Sequence, residues 1–191
     1  LYAGTNGGGV FKTSTSGDSW SEANTGLTAT TIYALAIDPT TPSILYAGTF
    51  GSGIYKSETS AASWSQINNG LSSLTVNTIA IDPITPATLW AGSNDGLAVS
   101  TNSGILWTPA DSGLSSRTIS ALAIHPTTTS TLYAGKSFAG VFKTTNSGGA
   151  WIATNTGLFA HRIYCIEINP SSPTTFFAGT YGGWILRTQD G

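Results

Sequence analysis

The sequence predicts an all-β protein, a β-propeller of four-stranded antiparallel blades, on three observations. The pentapeptide LYAGT at 1–5 returns as LYAGT at 45–49, LWAGS at 89–93, LYAGK at 132–136 and FFAGT at 176–180, in steps of 44, 44, 43 and 44 residues. Tryptophan keeps the same beat at Trp20, Trp64, Trp107 and Trp151. No segment sustains a 3.6-residue apolar period, so helix is expected to be nearly absent. A unit of this length that reads as four short strands is the size of one propeller blade. A parallel β-helix is the other repeat architecture to weigh, but its coils are shorter.

Each element follows from local composition, because runs of β-branched and aromatic residues are bounded by Gly, Pro, Asn and Ser. In the second repeat the first strand is IYALAI at 32–37, apolar at nearly every position and so expected to be buried on both faces. DPTTPS at 38–43 is a turn fixed by proline. It recurs as Asp82-Pro83, His125-Pro126 and Asn169-Pro170. The second strand is ILYAGT at 44–49; a Gly-rich loop leads to the third, IYKS at 54–57, and a further turn to the fourth, around WSQI at 64–67. Gly-Leu closes each repeat at 26–27, 70–71, 113–114 and 157–158. Repeats starting near 1, 45, 89, 132 and 176 cover residues 1–191 as one domain, four repeats and part of a fifth.

Composition excludes several functions. Charged residues are 8% of the 191, against about 25% in ordinary soluble domains. A net charge of −2 with 7 Lys and Arg offers no basic surface for phosphates, so no nucleic-acid partner is expected. No stretch approaches the ~20 apolar residues of a membrane span, so no membrane insertion is expected either. The single Cys165 permits no internal disulfide, and neither a metal site nor a cofactor is expected. The chain holds no Met and opens on Leu1 with no signal-like segment, which reads as a piece of something longer. It opens on a second strand and stops after a third. Closing four blades would therefore leave 176–191 as an exposed half-blade edge. A segment of a larger ring of six to eight blades is expected, or closure by another chain.

The turns before the tryptophans carry a family resemblance. SxNxGxxW spans Ser100 to Trp107 with Asn102 and Gly104, and TxNxGxxW spans Thr144 to Trp151 with Asn146 and Gly148. This resembles the Asp-box, or bacterial neuraminidase repeat, of sialidases, sortilin-type receptors, endo-xyloglucanases and photosystem II assembly factors. Two turns depart from it: Thr15 stands for the Asp or Asn in the first, and Thr59 and Ala61 replace Asp or Asn and Gly in the second. Thr188-Gln189-Asp190-Gly191 begins a fifth box. The LYAGT and Asp-Pro elements resemble bacterial and archaeal surface propellers of this class. Physically the box is scaffold, since an Asx side chain accepts backbone N–H groups within its turn and Gly takes a left-handed conformation cheaply. The tryptophans, Trp20, Trp64, Trp107 and Trp151, are expected to pack between neighbouring sheets.

The resemblance implies that the binding face carries the second-to-third and fourth-to-first strand loops, with Asp boxes opposite. Second-to-third loops that break the repeat offer Asn6, Phe50, Asn94, Asp95, Lys136, Phe138, Tyr181 and Trp184. Fourth-to-first loops add Arg117, Phe159, His161 and Arg162. Aromatic rings that stack on sugar C–H faces, beside polar groups that meet hydroxyls, suit a glycan site. The plain alternative is that each ring covers a neighbouring blade and each charge is solvated. Trp184 stands out because Gly9, Gly53, Gly96 and Gly140 occupy its place elsewhere. Glu167 replaces Ala36, Ala80 and Ala123 of the innermost strand. Burial without a partner would be costly there, so it faces either a hydrated channel or an ion or ligand in it.

No complete catalytic set is visible. The sialidase resemblance would call for an Arg triad, a Tyr nucleophile with a Glu, and an Asp acid, but only Arg117, Arg162 and Arg187 exist, the last in a third strand. A glycosidase pair needs carboxyls about 5–9.5 Å apart; Asp95 and Asp111 are the candidates that depart from the repeat, but Asp111 follows a fourth strand, toward the outer edge of its blade, and sequence does not bring them together. His125 and His161 lie in different turns. The expectation is an extracellular or cell-surface propeller, a non-catalytic scaffold for a glycan or protein partner. The alternatives are a fragment of a xyloglucanase-type hydrolase and a subunit of a surface layer or filament.

Overall fold

The computed structural model describes residues 1–114, 118–158 and 162–189. Eighteen strands form five antiparallel sheets, and no helix occurs among the described residues. The first sheet holds β1 (Tyr2–Gly4), β2 (Val10–Lys12) and β3 (Ser21–Glu22). The second holds β4 (Ile32–Ile37), β5 (Leu45–Thr49), β6 (Ile54–Ser57) and β7 (Ser65–Gln66). The third holds β8 (Val76–Ile81), β9 (Leu89–Ser93), β10 (Gly96–Ser100) and β11 (Thr108–Pro109). The fourth holds β12 (Ile119–Ile124), β13 (Leu132–Lys136), β14 (Gly140–Thr144) and β15 (Ile152–Ala153). The fifth holds β16 (Ile163–Ile168), β17 (Phe176–Thr180) and β18 (Ile185–Thr188). Within each sheet the strands lie in chain order, as in a propeller blade.

The four innermost strands β4, β8, β12 and β16 surround a central cavity of about 360 Å³. This corrects the expectation that they are buried on both faces: Tyr33 and Tyr164 are half exposed and most other positions are partly so, because these strands line the axial channel. The second strands are the buried ones, with every residue of β5, β9 and β13 inside. The fourth strands are only two residues long and exposed.

The core lies between blades, and tryptophan seals it. Trp64 packs with Val10 and Leu27 of the first blade and Leu45, Ala47 and Tyr55 of its own. Its backbone N–H donates to Thr25 O (2.9 Å) and its indole N–H to Ala23 O (2.8 Å). Trp107 repeats this with Asn69 O and Ile67 O, and Trp151 with Ser112 O and Ala110 O. Gly26, Gly70 and Gly113 have positive φ, and a Cβ on any of them would strike the carbonyl oxygen of Trp64, Trp107 or Trp151, which explains the Gly-Leu recurrence. Trp20 departs from the expected packing. It belongs to none of the clusters between blades and is 44% exposed, against 5%, 2% and 4% for the others.

The turns before the tryptophans are built as their composition implies. Asn102 Oδ1 accepts from Ser100 Oγ and Leu106 N, while Gly104 N donates to Ser100 Oγ. Asn146, Thr144, Ala150 and Gly148 repeat the pattern. In the second blade Thr59 Oγ1 replaces the amide oxygen as acceptor from Ser63 N, and Ala61 takes the left-handed φ of 66°. Asp190 lies outside the described residues.

Candidate functional site

Strand register decides which loops meet. Ile163 pairs with Thr180, so the start of each first strand lies beside the end of its second. Leu132 pairs with Thr144, so second strands begin where third strands end. The fourth-to-first and second-to-third loops therefore share one end of the barrel, and the proline turns and tryptophan turns share the other. Pairing alone thus groups the loops that the resemblance sets on one face.

Each innermost strand carries one irregularity at this end. The register shifts between Ile32 and Ala34, Val76 and Thr78, Ile119 and Ala121, and Ile163 and Cys165. The skipped residues are Tyr33, Asn77, Ser120 and Tyr164, and all four line the central cavity. A bulge leaves one residue unpaired and re-aims its side chain. These positions read Tyr, Asn, Ser and Tyr, each preceded by Ile or Val. Asn77 and Ser120 bind neighbouring strands together, donating to Ile119 O (3.0 Å) and to Ile163 O. Tyr33 and Tyr164 instead meet rings from the adjoining hairpin: Phe50 at 5.8 Å and Tyr181 at 6.3 Å, both edge-on. Asn94 takes the place of those rings in the third blade and accepts from Asn77 (3.1 Å).

The fifth blade adds a cation. Thr31, Thr75 and Thr118 occupy the position that Arg162 takes, and in every case the backbone oxygen accepts from the hairpin residue opposite. The Arg162 guanidinium carbon lies 5.0 Å from the Phe138 ring centre, 5.4 Å from Tyr164 and 5.2 Å from Tyr181. Each such contact is worth about 0.5–1 kcal/mol at an exposed site. Its Nε is buried without a hydrogen-bond partner. The rings themselves are open: Phe138 and Tyr181 are 65% exposed and Tyr164 50%. Phe138 holds φ of 72°, where Gly7, Gly51 and Gly182 stand in the corresponding hairpins with φ of 101°, 77° and 97°. A left-handed bulky residue costs about 1–2 kcal/mol, and such outliers cluster at functional sites.

The remaining sequence candidates divide. Trp184 is exposed on the hairpin of Tyr181, and its carbonyl accepts from Thr180 N and Oγ1. Phe50, Asn94 and Asp95 lie on the same face and are exposed. Lys136 does not reach that face. It is fully buried, at the position where Thr49 and Ser93 hold their hairpin carbonyls, and its ammonium lies 4.9 Å from the Phe142 ring. Glu167 is exposed and borders the central cavity, so it is not a buried carboxylate. Asp111 proves to be on the repeat. It corresponds to Asn24, Asn68 and Asn155, whose side chains bridge Val10 N, Ile54 N and Val141 N to the opposite hairpin carbonyls. A Cβ on Gly96 would lie 2.6 Å from its Oδ2, placing this carboxylate beside the hairpin that carries Asp95. Arg117, Phe159 and His161 lie outside the described residues. No group of three His, Cys, Asp or Glu fit to hold a metal occurs among the described residues.

Sequence reading missed Tyr33, Asn77, Ser120 and Tyr164. The usable signal was variation at one repeat position inside a strand that otherwise hardly changes.

Neither a protein-family model nor a curated protein sequence matches the chain. Solved structures do. The GH74 enzyme of Niastella koreensis superposes with a TM-score of 0.79 over 95% of this chain and 31% of its own, at 21% identity. An ancestral GH74 enzyme gives 0.76 over 94% of this chain and 25% of its own, at 22% identity. An extracellular domain assigned to a one-component system of B. thetaiotaomicron gives 0.76 over 98% and 25%, at 20% identity. The fold is a β-propeller. At these identities the likeness speaks for the fold, and the chain spans about a quarter to a third of the length of these proteins.

Proposed function

We propose that this propeller is an extracellular or cell-surface module that binds a glycan, without turning it over, at the loop end of its channel. The observation that carries the reading is Arg162 set among the exposed rings of Phe138, Tyr164 and Tyr181, with Phe138 held in a left-handed conformation that Gly7, Gly51 and Gly182 take in three of the other hairpins. Rings of this kind stack on the apolar faces of a sugar while guanidinium N–H groups donate to its hydroxyl or carboxylate oxygens. Asn77, Asn94 and Ser120 add amide and hydroxyl groups around the same channel mouth. Glu167 is offered as a further polar contact deeper in the channel. The low charge of the chain and likeness in fold to an extracellular domain suit an extracellular setting, and likeness in fold to GH74 enzymes supports a glycan before other ligands. The turns at 100–107 and 144–151 are proposed as true Asp boxes, and a protein ligand on the same face is the second occupant to test.

The test is titration of the protein against a panel of neutral and acidic oligosaccharides, with Arg162→Ala alongside. A saturable signal that falls at least tenfold in the variant supports the reading. Equal affinity of both forms, or uptake of no member of the panel, removes it. Release of reducing sugar from a bound member that depends on Asp95 and Asp111 would move the protein to the hydrolase alternative.

A further inference from the structure

A basic residue stands opposite the second-strand aromatic ring in every blade but the third. Register pairs Tyr2 with Lys12, Tyr46 with Lys56, Tyr133 with Lys143 and Phe177 with Arg187. The lysines lie over the rings they face, at 5.6, 5.9 and 5.5 Å. In the third blade Trp90 faces Val99 instead, and Thr101 stands where Glu58 holds Lys56 at 2.7 Å. A pocket of about 250 Å³ opens there, between the third and fourth blades, bordered by Asp82, Thr88, Trp90, Val99, Thr101 and Ser147. Both blades that form it are four-stranded.

The groups around this pocket are those that a lysine meets elsewhere. Lys12 Nζ donates to the Ser60 carbonyl of the following blade (3.1 Å), and Tyr2 Oη donates to the same atom (3.3 Å). Ser147 precedes Trp151 as Ser60 precedes Trp64, and among the described residues no protein group donates to its carbonyl. Lys56 attracts the Asp38 carboxylate, whose counterpart in the third blade is Asp82. Asp82 Oδ1 accepts from Ile84 N (2.8 Å) and Thr85 N (2.9 Å), while no described residue donates to its Oδ2. The Trp90 indole N–H likewise meets no acceptor among the described residues, whereas those of Trp64, Trp107 and Trp151 each meet a carbonyl. Asp82 and Trp90 are both more than nine-tenths buried. Polar atoms left unpaired at such depth are costly, so the pocket calls for a polar occupant.

We propose that this pocket binds a primary alkylammonium ion, its nitrogen in the place that Lys12 and Lys56 fill in their own blades. The ammonium donates to Asp82 Oδ2 and the Ser147 carbonyl, and its three N–H groups leave one for a threonine hydroxyl. The alkyl chain lies along Val99 and the Trp90 ring, and indole is the ring that attracts a cation most strongly. An acceptor further along the ligand meets the Trp90 N–H. A single carboxylate beside an apolar wall does not suit calcium, which takes six to eight oxygens. The site sits at the end of the blades that carries the proline and tryptophan turns and is independent of the glycan site proposed at the other end.

The test follows the Trp90 indole N–H resonance, assigned with Trp90→Tyr, during titration with n-butylammonium chloride, n-butanol and the peptide acetyl-Gly-Lys-Gly-amide. A saturable shift is expected with butylammonium, and binding at least tenfold weaker with butanol. Val99→Lys supplies the ammonium from within, as the other blades do, and should abolish binding. Asp82→Asn keeps a turn acceptor, as Asn169 does, and should weaken binding at least tenfold. Thermal melts check that both variants fold, and the contrast between butylammonium and butanol decides the matter where one does not. Tighter uptake of the peptide would name a lysine of another protein as the source of the ammonium, and uptake of butylammonium alone a free amine; either upholds the site. No saturable shift with either ammonium, equal binding of butanol, or unchanged affinity in folded Val99→Lys would overturn the proposal.

Discussion

Phe138 carries a cost that the fold does not require. Its φ of 72° is one that a bulky residue adopts at about 1–2 kcal/mol, and its ring is mostly exposed, so little burial offsets that cost. Phe138→Gly should therefore raise unfolding stability, by up to about 1 kcal/mol after loss of the Arg162 contact. Urea denaturation checks it, and the same variant should bind ligand more weakly. A variant that is both less stable and equally competent in binding would mean that the conformation serves the hairpin alone. His125 poses the opposite case. Its Nδ1 accepts from Thr128 N (3.0 Å) and Thr127 N (3.4 Å), doing with a ring what Asp38 does with three closer bonds of 2.8 to 2.9 Å. His125→Asp should gain roughly 0.5–1 kcal/mol, read as a higher urea midpoint. Sequence showed His125 as the odd member of the proline-turn series, but not that its ring would act as the turn acceptor. Proline-turn chemistry is local, whereas the meeting of Arg162 and Phe138 joins two blades and no local pattern encodes it.

Among the elements, the proline turn and the blade interface make separate predictions. Burial alone would raise the pKa of Asp38, but hydrogen bonds from Thr41 and Thr40 and the charge of Lys56 hold it below its ordinary 3.8. A depressed carboxyl stabilises the fold above its unfolded pKa and loses that contribution as pH falls through the folded one. Asp38→Asn keeps an acceptor, as Asn169 does, and loses the titration. It should lose less stability than the parent on going from about pH 5 to about pH 3, which thermal melts across that range will show. At the interfaces, Trp107→Ala should cost about 3–5 kcal/mol, while Trp20→Ala should cost well under half of that. Equal losses would mean that Trp20 is buried in solution. The 44-residue beat made every interface tryptophan legible because each repeat is one packing unit. It could not show that Trp20 stands apart, since exposure depends on what lies beyond a blade and not on the repeat. The bulges escaped for another reason: IYALAI reads as an unbroken strand, and its irregularity comes from closing around a channel.

Over the whole molecule, register separates two jobs. Proline and tryptophan turns, which repeat closely, occupy one end of the blades; the hairpins and bulges that vary occupy the other. A repeat protein can change the second set freely because the first holds the packing. Deviation from the repeat singles out Arg162, Phe138 and Tyr181, which the structure brings together with Arg162 about 5 Å from each ring, yet Lys136 deviates equally and is buried under its hairpin. Sequence alone does not tell a side chain that leaves the sheet from one that folds beneath it. The proposed function makes the varied end of the blades the working end. Hydrogen–deuterium exchange with the best-binding oligosaccharide tests it most directly. Added protection is expected only at the start of β16 and the hairpins around Phe138 and Tyr181, with the tryptophan and proline turns unchanged. Protection at those turns, with the loop end unaffected, would contradict it.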